Sequence, residues 1–167
     1  MKKLPPIIHS PSSIEKTANI IAIITLLAHF AVIAYYYDGL PERIPTHFGL
    51  DGKADGWSQK NSLWFMLGIS GLIFGFLKLI DKIPEEFINY PVKITAANKQ
   101  KQYQIMRELM ALLGAGINLL FLFISWGIIQ TALGAVGGLG VWFMLVVLTF
   151  VFAPIGYSLQ QAYKYKD

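Results

Sequence analysis

Four apolar runs, each long enough to cross a bilayer, constrain this chain more than any other feature. They occupy residues 17–37, 63–80, 109–130 and 141–160. A helix rises about 1.5 Å per residue, so about 20 apolar residues cover a hydrocarbon core of about 30 Å. The 167 residues are 54% hydrophobic and only 14% charged. A soluble domain carries about 25% charged residues, so this chain lacks the polar surface to cover itself in water. The expected fold is an all-α integral membrane protein: one domain over residues 1–167, with four transmembrane helices. A small turn-rich or hairpin outer loop, residues 38–62, joins the first two spans, and a polar segment, 81–108, joins the second and third. For the first run a signal peptide is the rival reading. Its apolar region is usually about 7–15 residues and ends at a small-x-small site, whereas this run is longer and ends in the interfacial anchor Tyr35-Tyr36-Tyr37.

Orientation follows from the basic residues. Lys2, Lys3 and Lys16 precede the first span, Lys82, Lys93, Lys99, Lys101 and Arg107 stand between spans two and three, and Lys164 and Lys166 end the chain. These ten face three on the other side, Arg43, Lys53 and Lys60. The positive-inside rule then places the chain in the cell membrane with both termini cytoplasmic and the 38–62 loop outside. The tail before Thr17 is expected to be weakly ordered or to lie along the membrane surface. No basic stripe with interleaved aromatics occurs, which argues against nucleic acid as a partner. With no cysteine, a disulfide framework, a thiolate nucleophile and a Cys-type zinc site are excluded.

Within the spans a few residues break the apolar pattern. Gly71 and Gly75 form a GxxxG pair, with Gly68 in the same region. Such a pair serves either as a seam between copies of the chain, a homo-oligomer, or more commonly as a close packing surface within one chain. His29 lies inside the first span; intramembrane ionisable residues point to function by default, but with no acidic partner in any span a histidine hydrogen-bonded to Asn118 or Ser125 is the expected state. Thr95 offers an N-cap, which predicts one helix from about Ala96 to Gln130 whose lower part projects into water. The uncharged turn TALGAVGGLG, 131–140, forces the fourth span antiparallel to the third. Pro154 should kink that last span or loosen its final turns.

The outer loop holds most of the recognisable chemistry. Ile44 to Phe48 is β-compatible, Asp51-Gly52 reads as a two-residue hairpin turn, and the stretch resumes to Trp57. An isolated hairpin is marginal in water, so Phe48 and Trp57 are expected to pack down on the span ends. His47, Asp51 and Asp55 carry metal-ligand chemistry, but their spacing is unlike a zincin helix, and Lys53 breaks the calcium-loop pattern. Asp before Gly more often serves a turn, so no metal and no cofactor are expected. The residues proposed to contact a ligand are His47, Phe48, Asp51, Asp55, Trp57 and Lys60.

The stretch LPERIPTHFGLDGKADGWSQK, residues 40–60, resembles the outer-loop signature of the bacterial multi-pass membrane domain of unknown function that forms the N-terminal part of SdpI-type immunity proteins. Leu40, Pro41, Ile44, Pro45, His47, Phe48, Gly52, Asp55 and Lys60 carry the match; Gly49 stands where Asn is usual and Ala54 where Pro is usual. A second match is Asn89-Tyr90-Pro91-Val92-Lys93-Ile94-Thr95, followed by Asn98 and Gln102-Tyr103, which resembles the family's cytoplasmic segment. The resemblance implies a short four-span relative. Some relatives protect a cell from a secreted peptide toxin and pass toxin binding to a cytoplasmic repressor. It also implies an inner-face motif of Asn89, Pro91, Thr95, Asn98 and Tyr103.

The expected function is therefore a membrane receptor or immunity-like protein, not an enzyme. Its outer loop would recognise a peptide or envelope ligand and signal inward. A small transporter or channel component is the alternative, opposed by spans almost without charge and without an inverted repeat. A membrane enzyme using His47 with Asp51 or Asp55 is chemically conceivable, but no serine or cysteine nucleophile motif accompanies them.

Overall fold

A computed structural model describes residues 7, 8 and 10–167. Helix α1 spans Ser13–Tyr36, strands β1 and β2 span Arg43–Phe48 and Ala54–Gln59, and helices α2, α3 and α4 span Ser62–Ile80, Lys99–Ala132 and Phe143–Lys164. All four helices are long and apolar enough to cross a membrane. The chain is an all-α multi-pass membrane protein with one small two-stranded sheet. Residues 1–6 and 9 of the tail expected to be weakly ordered, Lys2 and Lys3 among them, fall outside the described residues. Its last four residues are already helix, because Ser12 Oγ caps α1 by accepting the Glu15 N–H at 3.1 Å.

Helix α3 is the axis, and α1, α2 and α4 each pack against it. Ala18 and Ala22 of α1 meet Ala111 and Ala115 of α3, small residues that let two backbones approach. The interior holds polar groups while large apolar side chains such as Leu27, Phe65, Leu72 and Phe152 stand exposed. That is the distribution expected when the surrounding medium is as apolar as leucine. Several interior polar groups reach another helix. His29 Nε2 and Ser125 Oγ are 2.7 Å apart, one of the two partners expected for this histidine. Asn118 instead accepts from Ser70 Oγ at 2.7 Å and donates to the Ala22 carbonyl at 3.1 Å, joining α1, α2 and α3.

Three expectations are corrected. Gly68, Gly71 and Gly75 do not pack within the chain: nothing lies within 4 Å of where a Cβ would stand on any of them, and α2 turns Leu63, Ser70 and Leu77 inward instead. The lower part of α3 does not stand alone, because α4 runs beside it: Gln102 Nε2 donates to the carbonyls of Ala162 and Tyr165, each at 2.9 Å. Nor does Pro154 fray the fourth span, which continues as helix to Lys164.

The bundle has two distinct ends. At one, both described chain ends meet the start of α3 and the residue before it: Ile8 bonds Gln100 and Asn98 bonds Lys166. The hairpin and the 133–142 turn occupy the other.

Candidate functional site

The hairpin is built to sit still. Ile44, fully buried, joins Leu40, Ile33, Leu63, Ile128 and Ile129 in one core cluster, with Phe48 packed against it. The strand therefore lies across the end of α3, and this burial supplies what a free hairpin lacks. Its tip is a longer loop than the two-residue turn expected. Gly52 N–H donates to the Gly49 carbonyl and Gly49 N–H to the Lys53 carbonyl, both at 2.9 Å. Gly52 takes φ 76°, the three-residue arrangement in which a turn is followed by a left-handed glycine. Asp51 Oδ1 accepts the Lys53 N–H at 3.0 Å, so its carboxylate serves the turn.

The ladder is irregular on both sides of His47. Pro45 faces Trp57, His47 faces Gly56 and Phe48 faces Ala54, leaving Thr46 and Asp55 as unmatched residues. Such bulges re-aim side chains, and here His47 Nδ1 bonds Asp55 Oδ1 directly. Gly56 is needed opposite, since a Cβ there would come 2.9 Å from the His47 Cβ. The pair is open to solvent, with His47 75% and Asp55 53% exposed.

The remaining proposed ligand residues divide. Trp57 does not pack down as expected; it is 51% exposed, and its carbonyl accepts from Arg43 Nη2 at 3.2 Å. Lys60 pairs with Glu42 at 3.1 Å and stands 5.0 Å from the Tyr37 ring centroid, which makes it a strut at the hairpin base. His47, Asp55 and Trp57 thus form the outward face, while Phe48, Asp51 and Lys60 serve the mounting. Among the described residues no three metal-ligating side chains come together.

At the opposite end Asn98, 2% exposed, is a hub. Thr95 N–H donates to Asn98 Oδ1 at 2.9 Å and Asn98 N–H donates to Thr95 Oγ1 at 3.2 Å. This is the reciprocal logic of a capping box with asparagine in the acidic position. Thr95 makes the side-chain bond expected of it, but a turn follows: the N-cap of α3 is Asn98, and regular helix begins at Lys99 rather than Ala96. Asn98 Nδ2 also donates to the carbonyls of Lys93 at 2.9 Å and Lys166 at 2.6 Å. Asn89 and Pro91 line a cavity of about 350 Å³ against α3 and α4. Tyr103 lines a neighbouring one. Between Asn89 and Pro91, burial, reinforced by Glu85, pushes the Tyr90 phenol up to about 12.

Two features escaped the sequence. Arg107, on α3, donates to Glu15 Oε1 of α1 at 2.9 Å and to the carbonyl of Asp81 at the end of α2. Its other contact, to the Asp81 carboxylate at 3.5 Å, is a charge contact too long for a hydrogen bond. Lys78 pairs with the same Asp81, so a compact, nearly neutral charge cluster ties three helices together. The second feature is backbone only: Lys53 forms an antiparallel bridge with Gly138, and Gly52 accepts from the Leu139 N–H at 2.9 Å.

Fold and site together define a four-helix membrane protein carrying a braced hairpin at one end. Residues 23–71, from within α1 through the hairpin into α2, match the family described as a domain of unknown function (DUF1648). The chain is also similar to an uncharacterized protein of Archaeoglobus fulgidus, 25% identical over 163 residues that cover 87% of each chain. No solved structure gives a significant match.

Proposed function

We propose that the protein is a membrane receptor of the immunity type, lying in the cell membrane with both termini cytoplasmic, whose hairpin recognises a peptide or envelope ligand outside. The observation that carries this reading is the division of labour in the hairpin. Ile44 is buried in the bundle end with Phe48 packed beside it, while the His47–Asp55 pair and Trp57 stay open. A rigidly mounted face with an amphipathic aromatic and a polar pair loses little entropy on binding. The orientation rests on the basic residues gathered at the tail end. Helix α3 supports inward signalling. It runs unbroken for 34 residues, Lys99–Ala132, and so links the Asn98 hub to Ile128 and Ile129, which hold Ile44. A cytoplasmic repressor is the inner partner that the resemblance to SdpI-type proteins suggests. The gap left by Gly71 and Gly75 suits a second copy.

A photo-crosslinking residue in place of Trp57, used on intact cells, tests the reading. The expected product is an adduct with a secreted peptide or envelope component that His47→Asn weakens. Adducts with lipid alone, or none in cells exposed to their native medium, would sink it.

A further inference from the structure

The hairpin tip carries a side chain that the recognition reading does not use. Leu50 is 95% exposed at the turn, flanked by the Asp51–Lys53 pair at 3.6 Å. A leucine fully open to water at the point of a braced loop is costly unless something apolar covers it.

What lies beside the tip indicates the cover. Gly52 abuts Gly140 so closely that a Cβ on it would stand 2.5 Å from the Gly140 carbonyl carbon. The next two residues, Val141 and Trp142, are 66% and 72% exposed and lead straight into α4, whose outward side chains Met144, Leu145 and Leu148 form its bilayer-facing surface. The level of this patch can be read from its neighbours. The Leu139 side chain lies over Gly127 of α3, and the Phe143 ring stacks on Phe123 with centroids 6.5 Å apart. Gly127 is five residues before the end of α3, which at 1.5 Å per residue is about 7 Å below it. The connection therefore descends along α3, and the hairpin tip, bonded to it, descends too. It comes down at the start of a span, where tryptophan marks the membrane–water boundary.

We propose that the hairpin tip is a membrane-insertion element: Leu50, with Val141 and Trp142, is seated in the lipid leaflet on the hairpin side. The covering partner is the lipid surface itself, because the patch is continuous with the bilayer-facing side of α4. The flanking charges do not oppose this. Asp51 is already engaged by Lys53 and by the Lys53 N–H, and the Lys53 ammonium, on a side chain 79% exposed, can reach lipid phosphates while its stem lies along apolar surface. The inference requires only the membrane class and stands apart from the receptor reading. It places the hairpin's outward face at the bilayer surface.

The absence of cysteine makes the test direct. Leu50→Cys and, as a control on the same hairpin, Gln59→Cys are labelled with an environment-sensitive fluorophore in the full chain reconstituted into phosphatidylglycerol–phosphatidylcholine vesicles. The label at position 50 should emit further to the blue. It should be quenched by lipid carrying a nitroxide near the headgroup, and several-fold less by aqueous iodide than the label at 59. Equal iodide access at the two positions overturns the proposal. So does a label at 50 shielded from iodide yet untouched by nitroxide lipid, since protein, not lipid, would then cover the tip.

Discussion

Gly116 of α3 lies so close to the Phe150 carbonyl of α4 that a Cβ on it would stand 2.9 Å from the oxygen. Phe150 is four residues before Pro154, so the N–H that would engage this carbonyl within the helix does not exist. The proline thus frees an oxygen at the place where α3 offers bare backbone. The two irregularities answer each other, which accounts for a helix that runs on past its proline.

Gly116→Ala should therefore push α4 away from α3. The obstruction is backbone, which cannot swing aside, and overpacking of this kind costs about 1–3 kcal/mol. A lower thermal midpoint in detergent, with helix content unchanged at low temperature, is the expected result. An unchanged midpoint would mean that α4 accommodates the methyl group by sliding and that the close approach contributes little.

Arg107 offers a test of the buried charge cluster. Arg107→Met leaves the carboxylates of Glu15 and Asp81, side chains 3% and 6% exposed, without their shared guanidinium. Breaking one partner of a buried pair typically costs about 3–5 kcal/mol. Adding Glu15→Gln to Arg107→Met should restore part of the loss, because one buried carboxylate charge is then removed. Thermal unfolding of the two single variants and the double gives the coupling; strict additivity would show that the 2.9 Å contact carries no energy of its own.

These cases show which features the sequence exposes and which it conceals. The spans were legible because apolar length is a direct physical requirement of the bilayer. The His29–Ser125 contact was legible because an intramembrane imidazole needs a partner. The hairpin was visible in its β-compatible run and glycine turn. The charge cluster was not, since Glu15 and Arg107 are 92 residues apart and each alone reads as surface. The bracing of the hairpin by Gly138 and Leu139 was hidden for a different reason: it is made by backbone atoms, and glycine leaves no side-chain signal of a partner. Gly71 and Gly75 misled because small residues permit close packing without requiring it.

The last prediction concerns His47. Its bond to Asp55 lies in the open, with His47 75% and Asp55 53% exposed, and exposed pairs contribute about 0–1 kcal/mol. Neither His47→Asn nor His47→Leu should then reduce the amount of folded protein or its thermal midpoint appreciably. Both should reduce the response to whatever the hairpin recognises, and His47→Leu more, because asparagine retains a hydrogen-bonding group and leucine does not. Loss of folded protein in both variants would turn His47 into a support of the cap instead of part of its face. Metal analysis of the purified chain supplies an independent check: a transition metal copurifying near one per chain and lost in His47→Asn, His47→Leu and Asp55→Ala alike would identify the pair as ligands and set aside the recognition role argued for it.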